Sequence, residues 1–148
     1  MSALSLALLA SPALARPTRD PQQLSQLASY DVLVFADPYR DGIEKGKAIS
    51  VMDATPEEVF RVASDYAKWP EYLPRVRGAK VISANAAGAL VEMTADLPWP
   101  AGRSHAQVRH SHEKLAGEIY RIRFDMVQGT MRKYLGSLYI EPWLYNKS

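Results

Sequence analysis

The residues best suited to chemistry lie in the second half of the chain. His110-Ser111-His112 places two imidazoles two residues apart, hence on one face of a strand, as a metal site could use. A tetrahedral site needs further ligands, and none stands at useful spacing, so the pair reads as surface or cavity-rim histidines. Glu92, Asp96 and Glu118 could give or take protons, yet each falls on the polar phase of its strand and reads as a solvated carboxylate. The chain has no cysteine, which excludes disulfides, thiolate metal sites and cysteine nucleophiles. Serine-hydrolase, P-loop and dinucleotide motifs are absent as well. No catalytic residue, metal or cofactor is therefore assigned.

The elements that would position these groups can be read from periodicity. Thr55-Pro56-Glu57-Glu58 has the spacing of a capping box, with Thr55 as N-cap and Pro56 opening the helix. Val59, Val62, Ala63 and Tyr66 recur at helical spacing as an apolar stripe that must be covered. Trp69-Pro70 is expected to break that helix, with one further turn before Pro74. Ahead of it, Val32–Phe35 and Lys47–Asp53 read as a strand hairpin across an Asp37–Gly42 turn. Lys80–Ile82 and Ala89–Leu97 are strands joined at Asn85–Gly88, with Val91, Met93, Ala95 and Leu97 on one face. Ala106, Val108, His110 and His112 share a face of the next strand, and Tyr120, Ile122, Phe124 and Met126 a face of the one after. A last strand is expected from about Thr130 to Ile140, with Tyr134, Leu138 and Ile140 in phase. Successive strands on short connections argue an antiparallel sheet with one covered face, an α+β class.

Length and charge narrow the field further. A chain of 148 residues with 47% hydrophobic residues can bury a core, and a net charge of +2 without a basic run speaks against nucleic acid. Residues 1–15 are small and apolar and end in Ala13-Leu14-Ala15, the pattern of a secretory signal peptide, although the usual basic start is missing. Export to the periplasm or outside the cell follows as an expectation, with the segment too short to span a bilayer comfortably. Residues 16–30 read as a linker, and 31–148 as the domain.

Several of these motifs occur together in one known family. A strand ending Val51-Met52-Asp53-Ala54, then Thr55-Pro56-Glu57-Glu58-Val59-Phe60, then Asp65-Tyr66 and Trp69-Pro70-Glu71-Tyr72-Leu73-Pro74 resembles the START-like (SRPBCC) superfamily. The chain is most similar to its polyketide cyclase/dehydrase and coenzyme Q-binding branch. Leu97-Pro98-Trp99-Pro100 with Arg103, and Gly129-Thr130-Met131-Arg132 with Gly136-Ser137-Leu138, add to the resemblance, which spans roughly residues 47 to 142. It implies a helix-grip fold, a curved antiparallel sheet around a long helix. The family continues with another strand and a closing C-terminal helix where this sequence stops at Ser148, so an incomplete domain and self-association through an uncovered side are expected. The family often has an acid after the arginine at position 103, whereas Ser104 and His105 follow here, leaving ion pairing and anion binding both open for Arg103.

The residues assigned to a ligand cavity are Trp69, Tyr72, Leu73, Met93, Trp99, Val108, His110, Ile122, Phe124, Met126, Tyr134 and Leu138. The same residues could equally be plain core, since an apolar sheet face needs filling with or without a ligand. Two functions compete. One is binding or transfer of a hydrophobic small molecule, a lipid or quinone, with transient membrane contact. The other is a polyketide cyclase or dehydratase using His110 and Tyr120 or Tyr134. The inward phases are mainly aliphatic and aromatic, which favours binding; two titratable side chains in hydrogen-bond reach inside the pocket would favour the enzyme.

Overall fold

The capping box forms as the sequence dictates: the Thr55 amide donates to Glu58 Oε2 at 2.9 Å, and the Glu58 amide donates to Thr55 Oγ1 at 3.2 Å. These bonds fix the start of α2 (Pro56–Ala63) in a computed structural model that describes residues 4–9, 21–29, 32–40, 43–97, 100–131 and 133–143. Thr55→Ala should cost about 1 kcal/mol of stability, because an amide at the helix start loses its partner. A shift of the urea midpoint would measure it. Pro56 and Val59 are buried, but Val62, expected in the apolar stripe, is 54% exposed. On a helical wheel Pro56, Val59, Phe60 and Ala63 span an arc of about 100°, and Val62 lies about 60° outside it. The helix also ends before Tyr66 rather than at Trp69-Pro70. A 3-10 turn (Tyr66–Lys68) and a short helix α3 (Trp69–Tyr72) follow, so Pro70 sits in the first turn of a new helix instead of stopping an old one.

The remaining elements are β1 (Leu4–Leu9), α1 (Pro21–Ala28), β2 (Leu33–Arg40), β3 (Ile43–Met52), β4 (Val76–Asn85), β5 (Gly88–Asp96), β6 (Arg103–Leu115), β7 (Ile119–Gly129) and β8 (Leu135–Pro142). The expected turn at 37–42 is shorter than predicted, because β2 continues to Arg40 with a register shift between Asp37 and Arg40. The last strand begins five residues later than expected, at Leu135. Within 16–30, expected as linker, residues 21–28 form α1, and its Leu27 is fully buried.

Two compact units divide the chain. The first draws on the described residues of Met1–Phe60, Lys114–Arg121 and Gly136–Ser148. Its strands lie in the order β2-β3-β1-β8, and Leu27, Ile49 and Val51 form a core with Leu33, Tyr139 and Trp143 packed against it. Phe60 stacks on Tyr120 at 4.7 Å in this unit. Arg61–Glu113 and Ile122–Leu135 make the second unit, whose strand order is β7-β6-β5-β4. The β4–β5 hairpin closes on a two-residue turn in which the Ala87 amide donates to Asn85 Oδ1 at 2.8 Å. Alternation along β6 buries Ser104, Ala106, Val108 and His110, the phase expected from sequence.

Candidate functional site

The second unit gathers four rings about one point. Tyr66 leaves the 3-10 turn with 3% of its surface exposed, and its ring lies 4.2 Å from that of His110, 5.1 Å from Trp69 and 5.8 Å from His112. Trp69 meets His110 edge-on at 5.7 Å, and its indole N–H donates to the Ala63 carbonyl at 3.2 Å. That bond orients Trp69 from the end of α2. Ala89 and Val91 of β5 pack under Tyr66, with Met93 beside them.

The polar atoms of this cluster are buried without charge. Tyr66 Oη and His112 Nε2 are 2.6 Å apart, a short hydrogen bond between a phenol and an imidazole. Burial pushes the Tyr66 hydroxyl well above the usual tyrosine range, so the phenol stays protonated. Burial lowers His110 from 6.5 to about 4, neighbouring His112 pushes it the same way, and the Val108 backbone opposes the shift. Burial also lowers His112. Both imidazoles are neutral at pH 7. His110 is 3% exposed and its Nδ1 has no hydrogen-bond partner in the described structure, whereas the sequence reading made it a surface or cavity-rim histidine. The difference arises because α3 and the 3-10 turn cover this end of the sheet face, which strand phase alone does not reveal.

The other expected cavity residues are spread out. Val108 and Ile122 are buried, and Met93, Phe124 and Met126 are half-buried. Phe124 packs on Tyr134 with ring centres 5.0 Å apart. Tyr72 and Leu73 are 47% and 41% exposed, so the turn carrying Trp69 inward carries them outward. Leu138 belongs to the first unit, and Trp99 lies outside the described residues. A cleft of about 220 Å³ opens beside the β4–β5 turn, lined by Ser83, Asn85, Gly88, Arg109, Ser111 and His110 among others. Of the twelve expected residues only His110 borders it.

Tyr66 is the functional candidate that sequence reasoning placed in the helix stripe and left out of the cavity. Its partner is 46 positions away, and no local pattern points to it. Arg103 is settled as an ion-pairing residue: its Nε is 3.1 Å from Asp96 Oδ1, and Arg77 binds the other oxygen. The Arg77 hydrogen bond, followed by its charge and by Arg103, holds Asp96 below the usual carboxylate range, and Asp96 is thereby a paired rather than simply solvated acid. Gly129 allows a close approach of backbone. A Cβ on Gly129 would stand 2.7 Å from the His105 carbonyl oxygen and 3.0 Å from the Ala106 Cα, at the end of β7, where the Thr130 amide donates to that same carbonyl at 3.0 Å. Among the described residues no group of three or more His, Cys, Asp or Glu could hold a metal, and no helix is long and apolar enough to cross a membrane.

Residues 52–142 match the family described as polyketide cyclase / dehydrase and lipid transport. No curated protein matches the chain. Among solved structures, the chain is similar to a STAR-related lipid transfer protein (fragment 25–204) from Xanthomonas axonopodis, at 13% identity and a TM-score of 0.53, over 74% of this chain and 79% of that one. The likeness bears on fold alone, and the fold it supports is the α+β helix-grip expected from the sequence.

Proposed function

Because this chain belongs to the polyketide cyclase / dehydrase and lipid transport family, we propose that it binds an uncharged, mainly apolar small molecule such as a lipid or quinone. The observation that carries the reading is His110: a buried, neutral imidazole with an open Nδ1, set beside the Tyr66–His112 hydrogen bond. A buried polar atom without a partner is costly, and a ligand's carbonyl or hydroxyl would satisfy it without bringing charge into the core. Met93, Phe124 and Met126 supply an apolar surface in the same unit for the rest of such a molecule. Hydrophobic burial would provide affinity and the imidazole would provide orientation.

The test is uptake of a fluorescent quinone analogue. Phe124→Glu should abolish it while the far-UV spectrum is unchanged, and His110→Phe should weaken it about tenfold, the equivalent of roughly 1.4 kcal/mol. A pure hydrocarbon probe should be indifferent to His110→Phe. Failure of the wild type to take up any member of a broad apolar panel would reject the reading.

A cyclase or dehydratase is the second reading, favoured by the 2.6 Å separation of Tyr66 Oη and His112 Nε2, which places two titratable groups in proton-transfer reach. Binding is preferred because the raised tyrosine and the lowered histidines keep all three groups neutral and hold no proton ready to give at pH 7. Turnover of a linear polyketone by the wild type, lost in Tyr66→Phe, would reverse the order. The proposal extends to an exported protein, periplasmic or extracellular, which the apolar leader supports, and to transient membrane contact during ligand exchange. It extends also to self-association, which exposed Val81 and Ile82 on strand β4 support.

A further inference from the structure

The first strand occupies an unusual position. Leu4–Leu9 lies between β3 and β8, neither of which is the next strand in sequence, and is antiparallel to both. Pairing runs from Leu4↔Met52 to Leu8↔Ala48 on one side and from Leu4↔Pro142 to Leu9↔Ser137 on the other, without a register shift. The β2–β3 and β4–β5 ladders each contain a shift. A strand paired on both sides is held by its backbone, and removing it would leave the facing edges of β3 and β8 with open donors and acceptors. Its sequence, Leu-Ser-Leu-Ala-Leu-Leu, carries no charge.

We propose that the space between β3 and β8 is a strand-receptor slot, filled in cis by Leu4–Leu9, and that this segment stays bound after the chain is cut behind it. β1 ends at Leu9 and α1 begins at Pro21, so a cut between them in the folded chain severs the strand covalently while every paired residue of β1 lies on the amino-terminal fragment. The slot then holds a separate peptide rather than a segment of the same chain. It can exchange that peptide for a strand supplied from outside, since ladder pairing reads backbone before side chain.

The experiment uses the full chain with a protease recognition sequence in place of residues 11–16, cut after folding. The amino-terminal fragment should co-elute one to one with the remainder in native mass spectrometry, and should leave only in denaturant. A labelled peptide of residues 1–10 should replace it in mild urea. Leu6→Pro removes a ladder donor opposite Ser50 and Ile140, and the fragment from that variant should separate on cutting. Should Leu6→Pro not fold, hydrogen exchange on the uncut wild type decides: amides of Leu4–Leu9 should be protected as strongly as those of β5. Loss of the fragment on cutting with an unchanged urea midpoint, or free-chain exchange rates across Leu4–Leu9, would overturn the proposal. Recovery of the fragment only in a two-chain species would assign the slot to a second copy and overturn occupancy in cis.

Discussion

Taking this chain from pH 7 to pH 4 is expected to cost about 3 kcal/mol of folding stability through His110 alone, with about 2 kcal/mol already lost at pH 5. The folded chain holds this imidazole at about 4, against 6.5 for an ordinary histidine, because Tyr66 and Trp69 enclose it and His112 stands beside it. Between those two values the unfolded chain binds a proton that the folded chain refuses. Stability is therefore fully present above pH 6.5 and falls as pH drops through 4. His112, lowered by burial, adds to the loss in the same direction. Urea unfolding at pH 7, 5 and 4 measures the effect, and His110→Gln should flatten the profile by the amounts given. A His110 pKa of 6.5 or more by NMR, or equal acid sensitivity of the glutamine variant, would refute the burial argument.

Gly88→Ala should destabilise the second unit by about 3 kcal/mol or more, an unusually large effect for adding one methyl group. At Gly88 φ is 153°, a conformation that L side chains rarely adopt, and an added Cβ would overlap the His110 carbonyl oxygen. It would also stand 2.9 Å from the His110 carbonyl carbon and 3.1 Å from the Ser111 Cα. These are backbone atoms of the paired strand, so no rotamer change relieves the overlap. Gly88 must move off its partner Ser111, and the first pair of the β5–β6 ladder opens with it. Gly78→Ala is the matched control, since nothing lies within 4 Å of a Cβ there. Thermal denaturation should separate the two by about 6 °C or more, at a scale of roughly 2–4 °C per kcal/mol for a chain of this length. Equal melting temperatures would show that the hairpin yields where the geometry says it is fixed.

Local signals in the sequence resolved what local physics decides. The Thr55–Glu58 capping box is read from four residues because both of its bonds lie within them. The β6 alternation correctly put His110 with Ala106 and Val108, since the strand period is independent of what packs on it. What covers that face was not legible. His110 is buried because Tyr66 and Trp69 come from a segment where the helix stops early, at Ala63, with Asp65 already out of helical geometry at ψ 67°, well before the conspicuous Trp69-Pro70. Val62 misled for a related reason: the spacing from Val59 is helical, but the face that packs is set by Pro56 and Phe60. The turn that hides Trp69 exposes Tyr72 and Leu73, so three neighbouring apolar residues that looked alike in sequence have different surroundings. Helix α1 was missed because eight residues with four polar side chains resemble a linker until Leu27 is seen in the core.

The place of β1 bears on the order in which the molecule can be made. Its two flanking strands are synthesised at very different times, β3 soon after it and β8 close to the last described residue. During synthesis Leu4–Leu9 can find one neighbour once β3 has emerged and must wait for the other until β4 to β7 have followed. The second unit draws only on Arg61–Glu113 and Ile122–Leu135, and its β4–β5 hairpin is complete well before β8 leaves the ribosome. Domains generally acquire structure from the amino-terminal side as they emerge, whereas long-range strand pairing is slow. Here β1 belongs to the unit that closes only when β8 is made, and in the interval an uncharged leucine segment stays half paired, the form in which a nascent chain most invites a chaperone or a neighbouring copy.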